Sequence, residues 1–285
     1  MKILNLALRK QHNLDRNIMK PSEKQTLATN YVSESTVLQE HKNGVVTLTL
    51  NRPKQYNALS EGMLDTLQEH LDAIGKNEAL RLVILQGAGK VFCAGHDLKE
   101  MIVNRNETYY QTLFKKCSKM MMTLNQMPQP IIARIHGIAT AAGCQLVAAC
   151  DLAVAADEAR FATSGINVGL FCSTPSVPVS RNIPRKQAME LLLTGEFIDS
   201  KTALSWGLIN RTSPLEKLDE EINKLADSIL AKSPTAVSIG KKMFYKQIEL
   251  NMKDAYAFAG DVMACNMMSE DVTDGVETFI NKRQT

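Results

Sequence analysis

Apolar and polar positions alternate through Val45-Val46-Thr47-Leu48-Thr49-Leu50, which predicts a strand ended by Asn51-Arg52-Pro53. Met63, Leu64, Leu67, Leu71 and Ile74 then recur at helical spacing behind Ser60, a residue suited to cap a helix. Leu80 to Gln86 predicts a second strand, stopped by Gly87-Ala88-Gly89. A long amphipathic helix is expected over about 107–126, then a strand Ile131 to Ile135, a short apolar helix from Ala142 and a strand Asp151 to Ala156. Strands alternating with helices, each strand short, imply an α/β protein with a parallel-rich core. From about residue 175 strand signals nearly vanish. Ser200 is expected to cap a short helix closed by Gly207, and Leu208 to Thr212 to form a last brief strand. Helices are expected over 214–231, 234–250 and 252–281. The chain therefore divides into a leader (1–36), an α/β core (37–195) and a helical C-terminal region (196–285), with no sequence repeat at fixed period.

Composition narrows the partners. A net charge of +3, with no basic stripe interleaved with aromatics, predicts no nucleic-acid partner. No apolar run approaches the roughly 18–20 residues that cross a bilayer, so no membrane span is expected. Cys93, Cys117, Cys144, Cys150, Cys172 and Cys265 form no C-x-x-C pair, which predicts buried small thiols, no metal, no disulfide scaffold and a reducing compartment. In the leader, Lys2, Arg9, Lys10, Arg16 and Lys20 outweigh Asp15. That fits either the loosely docked leader of a cytoplasmic protein or a transit peptide to the mitochondrial matrix.

Candidate chemistry gathers in two stretches. In Phe92-Cys93-Ala94-Gly95-His96-Asp97-Leu98-Lys99-Glu100, Asp97 and Glu100 have capping-box spacing, so a helix should start at Leu98. In Ala133 to Leu146 a buried strand runs through Gly137 and Ala141-Ala142-Gly143 into another helix, where small side chains let a ligand approach the backbone. Unpaired N–H groups at such helix starts attract anionic oxygen. Two of them aimed at one atom would suit a thioester oxygen becoming an enolate.

These stretches stand in a longer series: Asn51-Arg52-Pro53-Lys54 with Asn57-Ala58-Leu59, Phe92 to Met101, and His136-Gly137 to Asp151. Ala159 to Ala162, Leu193 to Glu196, Trp206 to Ile209 and Phe279 to Arg283 follow in order. Through them the chain, from about residue 36 onward, resembles the crotonase (enoyl-CoA hydratase/isomerase) superfamily. The resemblance implies a crotonase-like spiral of ββα repeats with a helical C-terminal trimerisation region, and a homotrimer or dimer of trimers. It implies an acyl-CoA thioester as ligand, coenzyme A entering as part of the substrate and no separate cofactor. By position, the backbone N–H groups of His96 and Ala142 would hold the thioester oxygen. The CoA moiety would lie along Lys54, Tyr56, His96, Asp97, Leu98 and Lys99, with Phe279 and Lys282 near its adenine.

Two positions depart from the hydratase pattern: Gln145 and Gly165 stand where hydratases carry glutamates. An amide takes no proton at neutral pH and glycine has nothing to offer one. Three functions stay open on these residues: an enzyme that needs the oxyanion hole but not two carboxylates, such as a malonyl-type decarboxylase; a non-catalytic acyl-CoA binder of fatty-acid metabolism; or weak hydratase or isomerase activity with His96 as replacement base. The His96 ring either serves as that base or faces solvent or the CoA chain. Gln145 orients a water or simply fills space. Cys172 is expected to be a structural thiol rather than a nucleophile, Asp97 a helix cap, Asp151 a structural hydrogen-bonding group, and Lys241 with Lys242 part of a solvated face.

Overall fold

The computed structural model describes residues 35–282, so the expectation for the leader lies almost wholly outside the described residues. In chain order the elements begin with β1 (Val37–Lys42), β2 (Val45–Leu50), α1 (Glu61–Gly75), β3 (Leu82–Gly87) and β4 (Val91–Cys93). Next come α2 (Leu98–Val103), α3 (Glu107–Gln126), β5 (Ile131–Ile135), β6 (Ile138–Thr140), α4 (Ala142–Ala149), β7 (Leu152–Ala156) and β8 (Arg160–Ala162). Then α5 (Ser173–Asn182), α6 (Arg185–Thr194), β9 (Ile198–Asp199), α7 (Ser200–Trp206) and β10 (Arg211–Ser213) complete the sheets. Four helices close the chain: α8 (Leu218–Leu230), α9 (Pro234–Gln247), α10 (Met252–Met267) and α11 (Glu270–Lys282).

Two sheets share these strands. One has the order β1-β2-β3-β5-β7-β10 and the other β4-β6-β8-β9. Each of β3, β5 and β7 joins the large sheet, and the short strand after it (β4, β6 or β8) joins the small one before the chain turns into helix. This is the ββα spiral, repeated in structure though no period shows in the sequence. The strands from β2 through β10 in the large sheet are parallel, with β1 antiparallel at the edge. A parallel sheet is stable when both faces are covered. On one face lie α1, α3 and α4: Met63, Leu64, Leu67, Leu71 and Ile74 of α1 are all buried, as the helical spacing predicts. On the other, Leu218, Ile222 and Ala226 of α8 cover Leu82, Ile132 and Val154.

Some boundaries differ from expectation for local reasons. Asp199, not Ser200, caps α7, accepting from the Thr202 N–H, while the Ser200 hydroxyl donates to the Asp157 carbonyl. The expected helix over 252–281 breaks at Met268-Ser269 into α10 and α11. The sheets also continue past residue 195, since β9 pairs with β8 and β10 with β7.

Lys241 is the clearest correction. Expected on a solvated face, it is buried, and its ammonium donates to Asp151 Oδ2 (2.6 Å), the Leu124 carbonyl (2.7 Å) and the Gln129 carbonyl (2.9 Å). Asp151 also accepts the Ile131 N–H at 2.7 Å. One side chain of α9 thus ties the C-terminal helices to the end of α3 and the start of β5. Burial pushes the Lys241 pKa down and that of Asp151 up, each partly offset by the other's charge. Removing one partner of such a pair leaves an uncompensated charge in a dry interior. Lys241→Met should therefore lower unfolding free energy by about 3–5 kcal/mol. Lys241→Met with Asp151→Asn should recover much of that loss in chemical denaturation, because the asparagine oxygen still accepts from Ile131 without carrying charge.

Candidate active site

Three parallel strands of the small sheet bring the site together. Cys93, Ala139 and Phe161 stand side by side on β4, β6 and β8. Each strand then runs out of the sheet at the same edge, the first into Gly95-His96, the second into Ala141-Ala142, the third into Ser164-Gly165. Neighbouring strands are about 4.8 Å apart, so the three turns arrive as close neighbours.

The first turn is held from its outer side. Leu59 donates its N–H to the Gly95 carbonyl (2.7 Å) and accepts from the Asp97 N–H (3.3 Å), a parallel bridge centred on His96. In extended backbone successive N–H groups alternate sides, so the His96 N–H points the opposite way, to the side where β6 lies. Leu59 is itself fixed by buried Asn57, whose amide donates to the Ala88 and Val91 carbonyls and whose oxygen accepts from the Arg52 N–H. Arg52 donates to the Ala58 carbonyl and pairs with Asp97 at 2.9 Å. Asp97 caps α2 as the spacing predicts, accepting from the Lys99 and Glu100 N–H groups. The reciprocal half of the capping box is diverted, since Glu100 accepts from the Glu61 N–H instead. Partial burial raises the Asp97 pKa, but Arg52 and the α2 N–H groups outweigh it and hold the carboxyl below its ordinary range.

The second turn is strained. Ala141 has φ 50 and ψ −120, a conformation that a side chain disfavours, and its N–H donates to the Ala162 carbonyl at 3.0 Å. It places Ala142 at the first position of α4, where the N–H has no partner within the helix. Glycines let the turns touch. A β-carbon on Gly95 would fall 3.1 Å from the Ala142 nitrogen and 2.8 Å from the Ala141 β-carbon, and one on Gly143 would fall 2.1 Å from the Cys93 carbonyl oxygen. Among the described residues neither the His96 nor the Ala142 N–H meets an acceptor. The third turn is joined to the second by the Thr140–Ser164 hydroxyl pair at 2.7 Å.

The turns open on a cavity of about 210 Å³. His96, Ala142 and Gly165 line it, with Met101, Phe114 and Cys172, while Leu98, Val168 and Leu170 form an exposed apolar rim. Among the described residues no aspartate, glutamate, lysine or arginine lines it, and His96 and Cys172 are its titratable groups. Both His96 ring nitrogens are buried and without a hydrogen-bond partner, so the expectation of a solvent-facing ring does not hold. The ring meets Phe114 edge-on, with centroids 5.5 Å apart. Burial lowers its pKa against the opposing effect of the Leu59 backbone, so the imidazole is neutral at pH 7. A β-carbon on Gly165 would fall 2.6 Å from the Leu170 carbonyl oxygen and 2.9 Å from Cys172 Sγ. Sulfur thus occupies the space into which a longer side chain at 165 would project. Burial raises the Cys172 pKa, with some offset from the Gly165 backbone.

The remaining expected residues divide. Lys54 and Tyr56 lie exposed on the turn after β2, and the Tyr56 carbonyl accepts the Ala94 N–H at 3.0 Å, so they neighbour the His96 turn, as do exposed Leu98 and Lys99. Gln145 is buried on α4 with its side-chain oxygen unpartnered, and it does not line the cavity. Phe279 and Lys282 lie on α11, which packs on α10, and Phe279 does not line the cavity. Sequence reasoning assigned no role to Arg52 or Asn57, although both stand in a quoted motif, nor to Met101 and Phe114, whose helical spacing reads as ordinary core.

The family described as Enoyl-CoA hydratase/isomerase matches residues 40–285. The chain is similar to enoyl-CoA hydratase domain-containing protein 3, mitochondrial, of Xenopus laevis, 44% identical over 87% of this chain and 84% of that one. The human protein of that name is 43% identical over 85% and 80%. Among solved structures, an enoyl-CoA hydratase of Mycobacterium smegmatis is 53% identical, with TM-score 0.86 over 87% of this chain and 97% of that one. Human enoyl Coenzyme A hydratase domain-containing protein 3 is 41% identical, with TM-score 0.84 over 87% and 98%. Spiral, motifs and identity along most of each relative agree: the chain belongs to the enoyl-CoA hydratase/isomerase family.

Proposed function

We propose that the cavity binds an acyl-CoA thioester, holds its carbonyl oxygen between the N–H groups of His96 and Ala142, and stabilises the enolate without the paired carboxylates of a hydratase. One observation carries this: among the described residues, two unpaired N–H groups open on a cavity that no carboxylate lines. Coenzyme A enters as part of the substrate, with no separate cofactor. Its chain runs along Lys54, Tyr56 and the stretch His96 to Lys99. Phe279 and Lys282 serve its adenine end within a homotrimer or dimer of trimers, an assembly supported by the exposed apolar residues Tyr256, Met263 and Met268 on α10 and just after it.

Hydration needs a group to activate water and a proton for the α-carbon. Each positioned acid or base is worth on the order of 10²–10⁴ in rate. Losing both removes roughly 5–11 kcal/mol of barrier lowering, more than the ~10²–10³ that one N–H of the hole supplies. Binding of fatty acyl thioesters is therefore the main activity, in fatty-acid metabolism. A weaker hydratase or isomerase activity through His96 is the second reading, favoured by its buried, unpartnered and neutral ring. Malonyl-type decarboxylation is not carried further, because among the described residues no cation in the walls would hold the substrate carboxylate. For residues 1–36, the mitochondrial names of the animal relatives favour the transit reading over the cytoplasmic one.

Titration calorimetry should show butyryl-CoA binding more tightly than free coenzyme A, with steady-state hydration of crotonyl-CoA at least about 10⁴-fold below that of a two-carboxylate hydratase. Turnover within tenfold of such an enzyme would overturn the proposal. Gly95→Ala wedges a methyl group between the two turns and should weaken butyryl-CoA binding about tenfold, the worth of one hydrogen bond. The unfolded chain takes up a proton at the ordinary histidine value of 6.5 before folded His96 does. The His96 contribution to stability is thus full above pH 6.5 and falls as pH drops below it. His96→Gln should flatten that part of the denaturation profile between pH 7 and 5.

A further inference from the structure

We propose that this cavity selects uncharged, medium-chain acyl thioesters of about six to eight carbons, and that Phe114 sets the limit. This rests on the acyl-thioester reading and adds to it a chain length and the residue that fixes it. A methylene group fills nearly the space of a water molecule in the liquid, about 30 Å³. The cavity of about 210 Å³ therefore holds roughly seven such groups. The thioester carbon and oxygen take about two of those places, which leaves room for a tail of about five further carbons. Past that point the exposed side chains of Leu98, Val168 and Leu170 offer an apolar rim that about two more can cover.

The wall formed by α2 and α3 is braced. Phe114 on α3 and Met101 on α2 both line the cavity. The Phe114 ring meets the His96 ring edge-on, 5.5 Å between centroids, and stacks on Tyr110 at 6.4 Å. The Tyr110 hydroxyl in turn donates to the Met101 carbonyl at 3.0 Å. One series of contacts thus runs from the first turn through α3 to α2, and the Phe114 ring is held from two sides. Swinging it aside for a longer chain would break both aromatic contacts. Packed walls of this kind yield little, so a fixed volume discriminates by length. It discriminates by charge as well. Among the described residues no charged side chain lines the cavity, so a carboxylate at the far end of a short tail would be buried unpaired.

Titration calorimetry on the full chain should show affinity rising about fourfold per methylene from butyryl-CoA to hexanoyl-CoA and less steeply to octanoyl-CoA. From octanoyl-CoA to dodecanoyl-CoA it should rise by less than about threefold in all. Glutaryl-CoA should bind at least about tenfold more weakly than hexanoyl-CoA. Phe114→Ala opens space behind the ring and should carry the steep rise on beyond octanoyl-CoA; Phe114→Leu makes the same test if the alanine variant does not fold. A rise that stops at butyryl-CoA, one that stays steep to dodecanoyl-CoA in the unaltered chain, or glutaryl-CoA binding as tightly as hexanoyl-CoA overturns this inference and leaves the binding proposal intact. An unchanged length profile in a folded Phe114 variant overturns the role given to that ring. If no acyl-CoA of the series binds more tightly than free coenzyme A, it is the binding proposal that fails.

Discussion

Backbone stands against backbone at the heart of this site, and everything else is arranged to permit it. α4 begins so close to the end of β4 that a β-carbon at Gly143 would sit inside the Cys93 carbonyl, and one at Gly95 would press on the Ala142 nitrogen. Close approach of this kind is possible only where side chains are absent. It requires a firm frame as well, because nothing at the contact fills space or grips. The frame comes from the parallel register of β4, β6 and β8 and from the Arg52–Asn57–Asp97 network, which spends its hydrogen bonds on carbonyls and N–H groups of the turns themselves.

Charge is kept at the margins of this arrangement. Arg52 and Asp97 neutralise each other beside the first turn, and Lys241 and Asp151 do so beneath α9. The cavity wall is backbone amide, hydrocarbon, the hydroxyls of Ser164, Ser173 and Thr174, a neutral imidazole and a protonated thiol. In such surroundings hydrogen bonds to a developing oxyanion are stronger than in water. Moving a proton is harder, because few groups are there to carry one. On the function proposed above, a site of this composition favours holding a thioester over turning it over.

Much of this was legible in the sequence wherever a pattern ran long enough to repeat. β2, α1, α3 and β5 were expected within a residue or so, since five or more positions share one period. The small sheet was not, because strands of two or three residues show no period, and yet those strands place the site. The β1–β2 hairpin had a usable signal in Asn43-Gly44, both at positive φ, that went unused. The motifs around His96 and Ala142 announced two helix starts, but their convergence belongs to strand register. Lys241 reads as solvated from composition because only the fold supplies its three oxygen partners, and that Gln145 is buried follows from the packing of α4.

The meeting of Gly165 and Cys172 also bears on how this chain can change. A carboxylate introduced at position 165 would have to thread past a sulfur and a carbonyl already in its path. Placing one there therefore takes paired substitutions, the first of which loosens a packed wall.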